Sequence, residues 1–427
     1  MRVDLAFGRQ GTSVAVPDGA EVIAPVDEPG LRDEAASITA ALRRPLLGPP
    51  LHELTRGAAR IAVVFPDLTR PMPNRTVLPP LLAELARCGV PDDRITLLCA
   101  TGTHRQASAA EMEELVGREI VARYGIVDHD GTSAAHVEVG TVDGTPVLLQ
   151  REYVEADVRI ITGFVEPHFF AGFSGGPKAV CPGLAANSTI LEAHHPRRIA
   201  DSRATFVTRD GNPVHDFVRA ATALAPPHLS LDVAINRARR VTAVFAGPLP
   251  AAHDAACAHV QSTAVRVVDA PFDLVVSTNG GYPLDRNLYQ AVKGMAAAER
   301  IVRPGGFIVM AAACEDGVPA GGAFARLLAA AHSTADLLGA SGEAELDRWQ
   351  AQVLGRVLAR AQVHLFAPGL DAGASPSALL SLAPDLDAAV AAACTRLGPG
   401  ARVAVMPEGP LTVATVATVG DGPAPAR

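Results

Sequence analysis

The sequence predicts an α/β protein with two α/β domains and largely parallel sheets. Short apolar runs rich in β-branched residues alternate with helical segments, which is the pattern of strand-helix-strand units. Several of these runs lead directly into polar, glycine-containing loops, as strands do at the carboxyl edge of a parallel sheet. A length of 427 residues is too great for one simple core and favours two domains.

The boundary between the domains is predicted near residues 265–272, where Pro271 precedes a new apolar run. We therefore assign residues 1–268 to an N-terminal domain and residues 269–403 to a C-terminal domain. Residues 404–427 are expected to pack back on the N-terminal domain, and their Gly- and Pro-rich end is expected to fray. An active site is expected in the cleft between the domains.

Composition indicates a soluble, cytoplasmic enzyme. Hydrophobic residues make up 48% of the chain, yet no apolar stretch approaches the roughly 18 residues that cross a bilayer, and the N-terminus lacks a signal peptide. A net charge of -8 with scattered arginines argues against nucleic acid as a partner. Six widely spaced cysteines without a C-x-x-C pair argue against a disulfide framework and a structural zinc site.

Three predicted strands each end in a polar loop, and parallel strands would bring these loops to one edge of a sheet. They are Ile61 to Phe65 followed by Asp-Leu-Thr-Arg-Pro at 67–71, Ile95 to Ala100 followed by Thr-Gly-Thr-His-Arg at 101–105, and Val158 to Thr162 followed by 163–183. After the second loop, Ser108 and Glu111 form a capping box for a helix that Gly117 should end.

The third loop combines a histidine, a glycine turn and a lysine. Backbone N–H groups of Ser174, Gly175 and Gly176 could approach an anion, and Pro177 could begin a helical turn that faces the same anion. Lys178 would then project an amine into the site beside His168. The alternative is a lysine that binds phosphate and has no covalent role.

The remaining motifs have simpler alternatives. Asp67 and Arg70 could be an ion pair that closes a turn, and His104 could be a hydrogen-bonded loop histidine. His194 and His195 could be solvated groups at a helix C-terminus, where the helix dipole favours imidazolium. Asn187 or Ser188 is the predicted N-cap of that helix, and Pro196 is its predicted stop; in the C-terminal domain a helix carries Tyr289, Gln290 and Lys293. No H-E-x-x-H is present, and no G-x-G-x-x-G follows a strand.

Taken in order, five motifs closely resemble the nickel-dependent lactate racemase family over about residues 60–315. They are Asp-Leu-Thr-Arg-Pro at 67–71, Gly-Thr-His-Arg at 102–105, Glu-Pro-His-Phe-Phe-Ala-Gly-Phe-Ser-Gly-Gly-Pro-Lys-Ala at 166–179, the histidine near 194, and Tyr-Gln-Ala-Val-Lys at 289–293. The resemblance implies an isomerase, a racemase or epimerase of a 2-hydroxy acid such as lactate. It also implies a nickel pincer nucleotide, pyridinium-3-thioamide-5-thiocarboxylic acid mononucleotide, made by separate maturation enzymes.

The resemblance also implies roles for individual residues. Lys178 would carry the cofactor covalently, and His194 would be the metal ligand, although the adjacent His195 leaves this assignment open by one residue. His104 and His168 would be the paired acid and base. The remaining roles are cofactor binding by Asp67, Thr69, Ser174, Gly175 and Gly176, and substrate binding by Arg70, Tyr289, Gln290 and Lys293.

The implied chemistry agrees with the substrate class. The α-hydrogen of a 2-hydroxy acid is a poor acid beside an ionised carboxylate, so proton-coupled hydride transfer to and from the cofactor avoids a carbanion. Sulfur donors with imidazole suit square-planar nickel. Two alternatives remain: a non-catalytic carrier of the nickel pincer nucleotide, and a metallohydrolase built on the histidines.

Overall fold

A computed structural model describes residues 1–320, 322–339, 342–370, 377 and 379–417 of the protein. The chain forms two compact units. The N-terminal unit consists of Asp27–His194 and Arg203–Thr263, and the C-terminal unit consists of Met1–Val26, His195–Ser202 and the chain from Ala264 on. No helix in the described ranges is long and apolar enough to cross a membrane.

The strands in these ranges are β1 Arg2–Leu5, β2 Thr12–Ala15, β3 Glu21–Val22, β4 Ile61–Pro66, β5 Ile95–Ala100, β6 Gly125–Asp128, β7 His136–Val142, β8 Thr145–Gln150, β9 Val158–Phe164, β10 Pro167–His168, β11 Gly172–Phe173, β12 Leu229–Ile235, β13 Val241–Gly247, β14 Val265–Val268, β15 Phe272–Thr278, β16 Val302–Ala311, β17 Ala361–Phe366, β18 Ser381–Leu382, β19 Val403–Met406 and β20 Val413–Val416.

The α-helices are α1 Glu34–Arg43, α2 Leu51–Leu54, α3 Asn74–Arg87, α4 Ala109–Val116, α5 Arg118–Arg123, α6 Arg151–Val154, α7 Asn187–Ala193, α8 Pro196–Ile199, α9 Pro213–Ala223, α10 Ala251–Ala264, α11 Leu288–Glu299, α12 Ala323–Ala330, α13 Thr334–Leu338, α14 Arg348–Arg360 and α15 Leu386–Leu397.

The N-terminal unit is built on a six-stranded sheet in the order β13-β12-β9-β4-β5-β6. β12 and β13 are antiparallel, and the other neighbours are parallel. Because successive side chains of a strand point to opposite faces, β4 fills two cores: Val63 and Phe65 pack into one, and Ala62 and Val64 into the other. Burial on both faces explains why the parallel strands are continuous apolar runs.

The C-terminal unit has a sheet in the order β18-β17-β16-β15-β19-β3, and all of its neighbours are parallel. Leu274 and Val276 of β15 lie in its core. Helix α11 approaches the end of β15 closely at Gly294, where a side chain would collide with the carbonyl oxygen of Thr278. The glycine therefore allows the first turns of α11 to lie near the carboxyl end of β15.

The predicted α/β class with largely parallel sheets is confirmed, as are the three strands that begin at Ile61, Ile95 and Val158. The capping box of Ser108 and Glu111 is present. The predicted N-cap of α7 is wrong by one residue, because Ala186 occupies that position and makes no side-chain hydrogen bond there.

The units divide the chain differently from the predicted domains. Met1–Val26 belong to the C-terminal unit, because β3 pairs with β19. The described part of the predicted tail, residues 404–417, lies in the same unit, where β20 pairs with β14. The rest of that tail, 418–427, lies outside the described residues.

Candidate functional site

Strands β9, β4 and β5 lie side by side and parallel, so their carboxyl ends share one edge of the N-terminal unit's sheet. The three predicted loops leave this edge. The backbone N of Gly102 donates to the carbonyl oxygen of Gly183 at 3.0 Å, which ties the loop of His104 to the segment that follows Lys178.

His104 is held by Asp67 and Thr69. Its Nδ1 lies 2.9 Å from Asp67 Oδ2 and 3.2 Å from Thr69 Oγ1, and the Thr69 hydroxyl donates to Asp67 Oδ1 at 2.8 Å. A carboxylate can only accept a hydrogen bond, so Nδ1 of His104 carries the proton and Nε2 keeps the lone pair in the neutral ring. Because the side chain is 39% exposed, Nε2 can act as a base toward a bound ligand.

The carboxyl group of Asp67 is buried, with 3% exposure. Burial acts to raise its pKa, but the hydrogen bond and charge of His104, followed by Arg70 and Thr69, outweigh burial and hold the pKa below its ordinary value. Asp67 therefore remains ionised beside the imidazole. Its close ion pair is with His104, so the alternative of an Asp67–Arg70 pair that closes the turn is not what the structure shows.

The amine of Lys178 lies against the ring of His168. The Nζ atom is 3.2 Å from Nε2, while Nδ1 accepts from the backbone N of Ala171 at 3.2 Å. Nε2 is therefore the ring atom that faces the amine. Phe170 packs edge-on against His168, with ring centroids 4.6 Å apart, and its centroid lies 5.7 Å from Nζ. The amine and imidazole thus meet in buried, partly aromatic surroundings.

His194 is buried close to the same cluster, and its ring meets Phe170 edge to face with centroids 5.3 Å apart. Its Nδ1 lies 2.8 Å from the carbonyl oxygen of Ile190. A carbonyl can only accept, so Nδ1 donates and the lone pair is on Nε2. Burial, followed by Lys178, lowers the pKa of His194 to about 4, although the Ile190 carbonyl acts to raise it. The ring is therefore neutral near neutral pH and can serve as a metal ligand.

The neighbouring His195 has a different role. Its Nδ1 accepts from the backbone N of Arg197 at 3.2 Å and caps the N-terminus of the short helix α8. His195 belongs to the C-terminal unit, whereas His194 is the last residue of its segment in the N-terminal unit. These contacts favour His194 over His195 as the nitrogen ligand near Lys178.

The turn at 174–176, predicted to receive a phosphate, binds the protein itself. The Ser174 hydroxyl donates to a backbone carbonyl of β9 at 3.0 Å. The backbone N of Gly176 donates at 2.9 Å to Oδ1 of Asp232, a fully buried carboxylate. Gly175 and Gly176 have φ angles of 73° and 49°, which glycine tolerates best. The turn therefore positions Lys178 and uses these polar atoms inside the fold.

Tyr289, Gln290 and Lys293 lie in the first two turns of α11 in the C-terminal unit and are half-buried. The Tyr289 hydroxyl accepts from Nε1 of Trp349 at 3.0 Å, which fixes the phenol ring. Its backbone carbonyl accepts from the side chain of Gln350. Helix α14 thus holds the start of α11 in place.

Sequence reasoning missed Phe170, Asp232 and Trp349. Phe170 lies inside the motif at 166–179 and touches both His168 and His194, so its place in the motif was the available signal. Asp232 lies 56 residues from the turn that it holds, and Trp349 lies 60 residues from Tyr289. No local pattern in the sequence marks these two contacts.

Two family models match this chain: the lactate racemase N-terminal domain over residues 7–206 and the lactate racemase C-terminal domain over residues 267–414. The lactate racemase of Lactiplantibacillus plantarum is 35% identical over 383 residues, covering 88% of this chain and 90% of its own. The lactate racemase of Thermoanaerobacterium thermosaccharolyticum is 34% identical over 376 residues, covering 86% of this chain and 88% of its own.

Solved structures give the same result. The lactate racemase apoprotein of Thermoanaerobacterium thermosaccharolyticum aligns with a TM-score of 0.90 and 30% identity, over 97% of this chain and all of that one. A Thermotoga maritima protein, 19% identical over 92% of this chain and all of its own, aligns with a TM-score of 0.67 and shares the fold. The chain therefore belongs to the lactate racemase family, and it is an enzyme of the isomerase class.

Proposed function

We propose that this protein is a racemase or epimerase that interconverts the two configurations of a 2-hydroxy acid, lactate or a related 2-hydroxycarboxylate. The proposal rests on one arrangement: the imidazoles of His104 and His168 lie on loops from one sheet edge, and the amine of Lys178 lies 3.2 Å from the second imidazole. The curated relatives are named lactate racemases, which supports this substrate class.

The residues near Lys178 fit a nickel pincer nucleotide. Lys178 supplies an amine for covalent attachment, and His194 supplies a neutral imidazole with its lone pair on Nε2. In the described ranges no cluster of three or more His, Cys, Asp or Glu residues could hold a metal ion. His194 would supply one nitrogen donor, and the other donor atoms would come from the cofactor. When bound, this group supplies a hydride-accepting centre.

The two histidines then handle the proton of the substrate hydroxyl. His104 presents Nε2 as a base, because Asp67 holds its proton on Nδ1. His168 exchanges a proton through Nε2, the atom that faces Lys178. Since the two enantiomers present their hydroxyl groups to different sides, each histidine serves as the base for one of them and as the acid for the other.

We assign substrate binding to Arg70, Tyr289, Gln290 and Lys293. Guanidinium and ammonium groups suit the carboxylate of a 2-hydroxy acid, and the amide and phenol suit its hydroxyl group. Cofactor maturation enzymes would be the protein partners.

The second candidate function is a carrier that stores the nickel nucleotide on Lys178 and has no catalytic activity. Storage needs the amine and the metal ligand but gives no role to an ionised carboxylate that orients His104. The Asp67–His104 pair, 2.9 Å apart, therefore favours the racemase over the carrier.

The test uses protein produced together with the maturation enzymes. Intact mass should reveal a covalent adduct that the Lys178→Ala variant lacks, and one acid in a panel of chiral 2-hydroxy acids should be interconverted. The His168→Ala variant should keep the adduct and lose about 10²- to 10⁴-fold in rate. Full activity in that loaded variant would refute the acid/base assignment, whereas an adduct on the wild type without turnover of any acid would favour the carrier.

A further inference from the structure

Two histidines outside the site described above, His129 and His136, face each other through their Nε2 atoms. These atoms are 3.1 Å apart, and the rings meet edge to face with centroids 5.3 Å apart. His129 follows β6 and is buried, while His136 begins β7 and is half-buried. Two separate strands of the N-terminal unit therefore hold the rings together.

Hydrogen-bond partners indicate which nitrogen of each ring carries the proton. Thr101 Oγ1 donates its one proton to the carbonyl oxygen of His129 at 2.8 Å, so it accepts from the Nδ1 of His129 at 2.9 Å. Nδ1 of His136 lies 2.8 Å from the carbonyl oxygen of Ser133, which can only accept. Both Nδ1 atoms therefore carry hydrogen, and both facing Nε2 atoms carry lone pairs in the neutral rings.

Two lone pairs at this distance repel each other unless a positive charge lies between them. Metal–imidazole bonds are about 2.0–2.1 Å long. Two imidazole nitrogens bound to one ion at roughly a right angle would therefore lie about 3 Å apart. Burial, followed by the charge of His136, lowers the pKa of His129 to about 4, although Asp130 and a hydrogen bond with the Ala185 backbone act to raise it. Asp130 interacts electrostatically with both rings and binds Thr132 through Oδ1, so it adds negative charge beside the pair.

We propose that His129 and His136 bind one borderline divalent cation such as Zn²⁺, an ion for which imidazole is a preferred ligand. No third His, Cys, Asp or Glu ligand joins them within the described residues, so water would complete the coordination. The ion would link β6 to β7 and brace Thr101, whose carbonyl oxygen accepts from the backbone N of His104 at 3.0 Å. This site does not depend on the proposed function.

The test is a Zn²⁺ titration of the metal-free, full-length protein by calorimetry at neutral pH. The wild type should bind one equivalent more than the His136→Gln variant, and Zn²⁺ should raise the thermal midpoint of the wild type alone. His136 is the residue to replace, because the bonds between Thr101 and His129 then remain. The control variant His52→Gln, which removes a half-exposed histidine, should keep this equivalent.

Equal stoichiometry and affinity in the wild type and the His136→Gln variant would overturn the proposal. The two rings would then share only a proton. Far-ultraviolet circular dichroism of every variant ensures that a lost equivalent reflects a lost ligand and not an unfolded chain.

Discussion

The contact of Asp67 with His104 determines which nitrogen of one ring can do chemistry. The carboxylate is buried, yet its pKa lies below the ordinary value, because the hydrogen bond and charge of the ring outweigh burial. An ionised Asp67 keeps the His104 proton on Nδ1 and stabilises the imidazolium that forms when Nε2 takes up a proton. A half-exposed loop histidine thereby becomes an oriented base.

The Asp67→Asn variant tests this orientation. The amide has nearly the size of the carboxylate but no charge, so it holds the tautomer less firmly and stabilises the imidazolium less. We expect the interconversion rate of the loaded enzyme to fall about 10²- to 10⁴-fold, with an unchanged covalent adduct by intact mass. The Thr69→Val variant keeps the ion pair and should lose far less. An unimpaired rate in loaded Asp67→Asn would contradict the role assigned to the carboxylate.

The two adjacent histidines allow a second comparison of single residues. Nδ1 of His194 donates to the Ile190 carbonyl and leaves the lone pair on Nε2, whereas Nδ1 of His195 caps α8. We expect His194→Ala to lose nickel from the loaded protein, measured by elemental analysis, while Lys178 keeps its organic adduct. His195→Ala should retain the metal. Loss of nickel from His195→Ala, with nickel retained in His194→Ala, would identify His195 as the ligand.

Among the structural elements, the turn at 174–176 depends on glycine more than on its polar atoms. Gly176 has a φ of 49°, and a side chain there would collide with the ring of His253. Its backbone N also donates to the buried Asp232. The short helix that carries Lys178 begins at this residue, so strain in the turn would displace the amine.

Gly176→Ala should therefore lower the free energy of unfolding by about 2–4 kcal/mol, through backbone strain and overpacking. Urea unfolding would measure this change, and the yield of the Lys178 adduct should fall with it. Gly125→Ala is the control, because that glycine begins β6 and no atom lies within 4 Å of a Cβ placed there. Equal stability of the two variants would contradict the close packing at Gly176.

The same elements indicate how far sequence alone could lead. The runs beginning at Ile61, Ile95 and Val158 identified parallel strands, because strands buried on both faces need uninterrupted apolar residues. The turn at 174–176 was harder to interpret: Ser-Gly-Gly suits an anion, and only the fold reveals that Asp232, 56 residues away, occupies the Gly176 N–H. For the same reason, the contact of Trp349 with Tyr289 could not be predicted from local spacing.

Across the whole molecule, several histidines are kept neutral by burial. Burial is the largest cause in each case and lowers the pKa of His129 and His194 to about 4 and that of His215 to about 3. Histidines in an unfolded chain titrate near pH 6.5. Between about pH 6.5 and 4, the unfolded chain therefore binds protons that the folded chain does not. The free energy of unfolding should fall as the pH falls through this window.

His215→Leu would isolate the contribution of one histidine. Its Nδ1 is buried without a hydrogen-bond partner among the described residues, so leucine should change stability at pH 7 by no more than about 1 kcal/mol. The positive groups near this ring, His253, Arg219, Lys178 and Arg209, all oppose its protonation along with burial. Removing His215 should reduce the slope of unfolding free energy against pH by up to about 1.4 kcal/mol per unit between pH 6 and 4.5.

Urea unfolding of cofactor-free protein measures this slope. The control variant His332→Gln, at an exposed position, should leave the slope unchanged. An identical slope in His215→Leu and the wild type would mean that His215 takes up its proton in the folded protein.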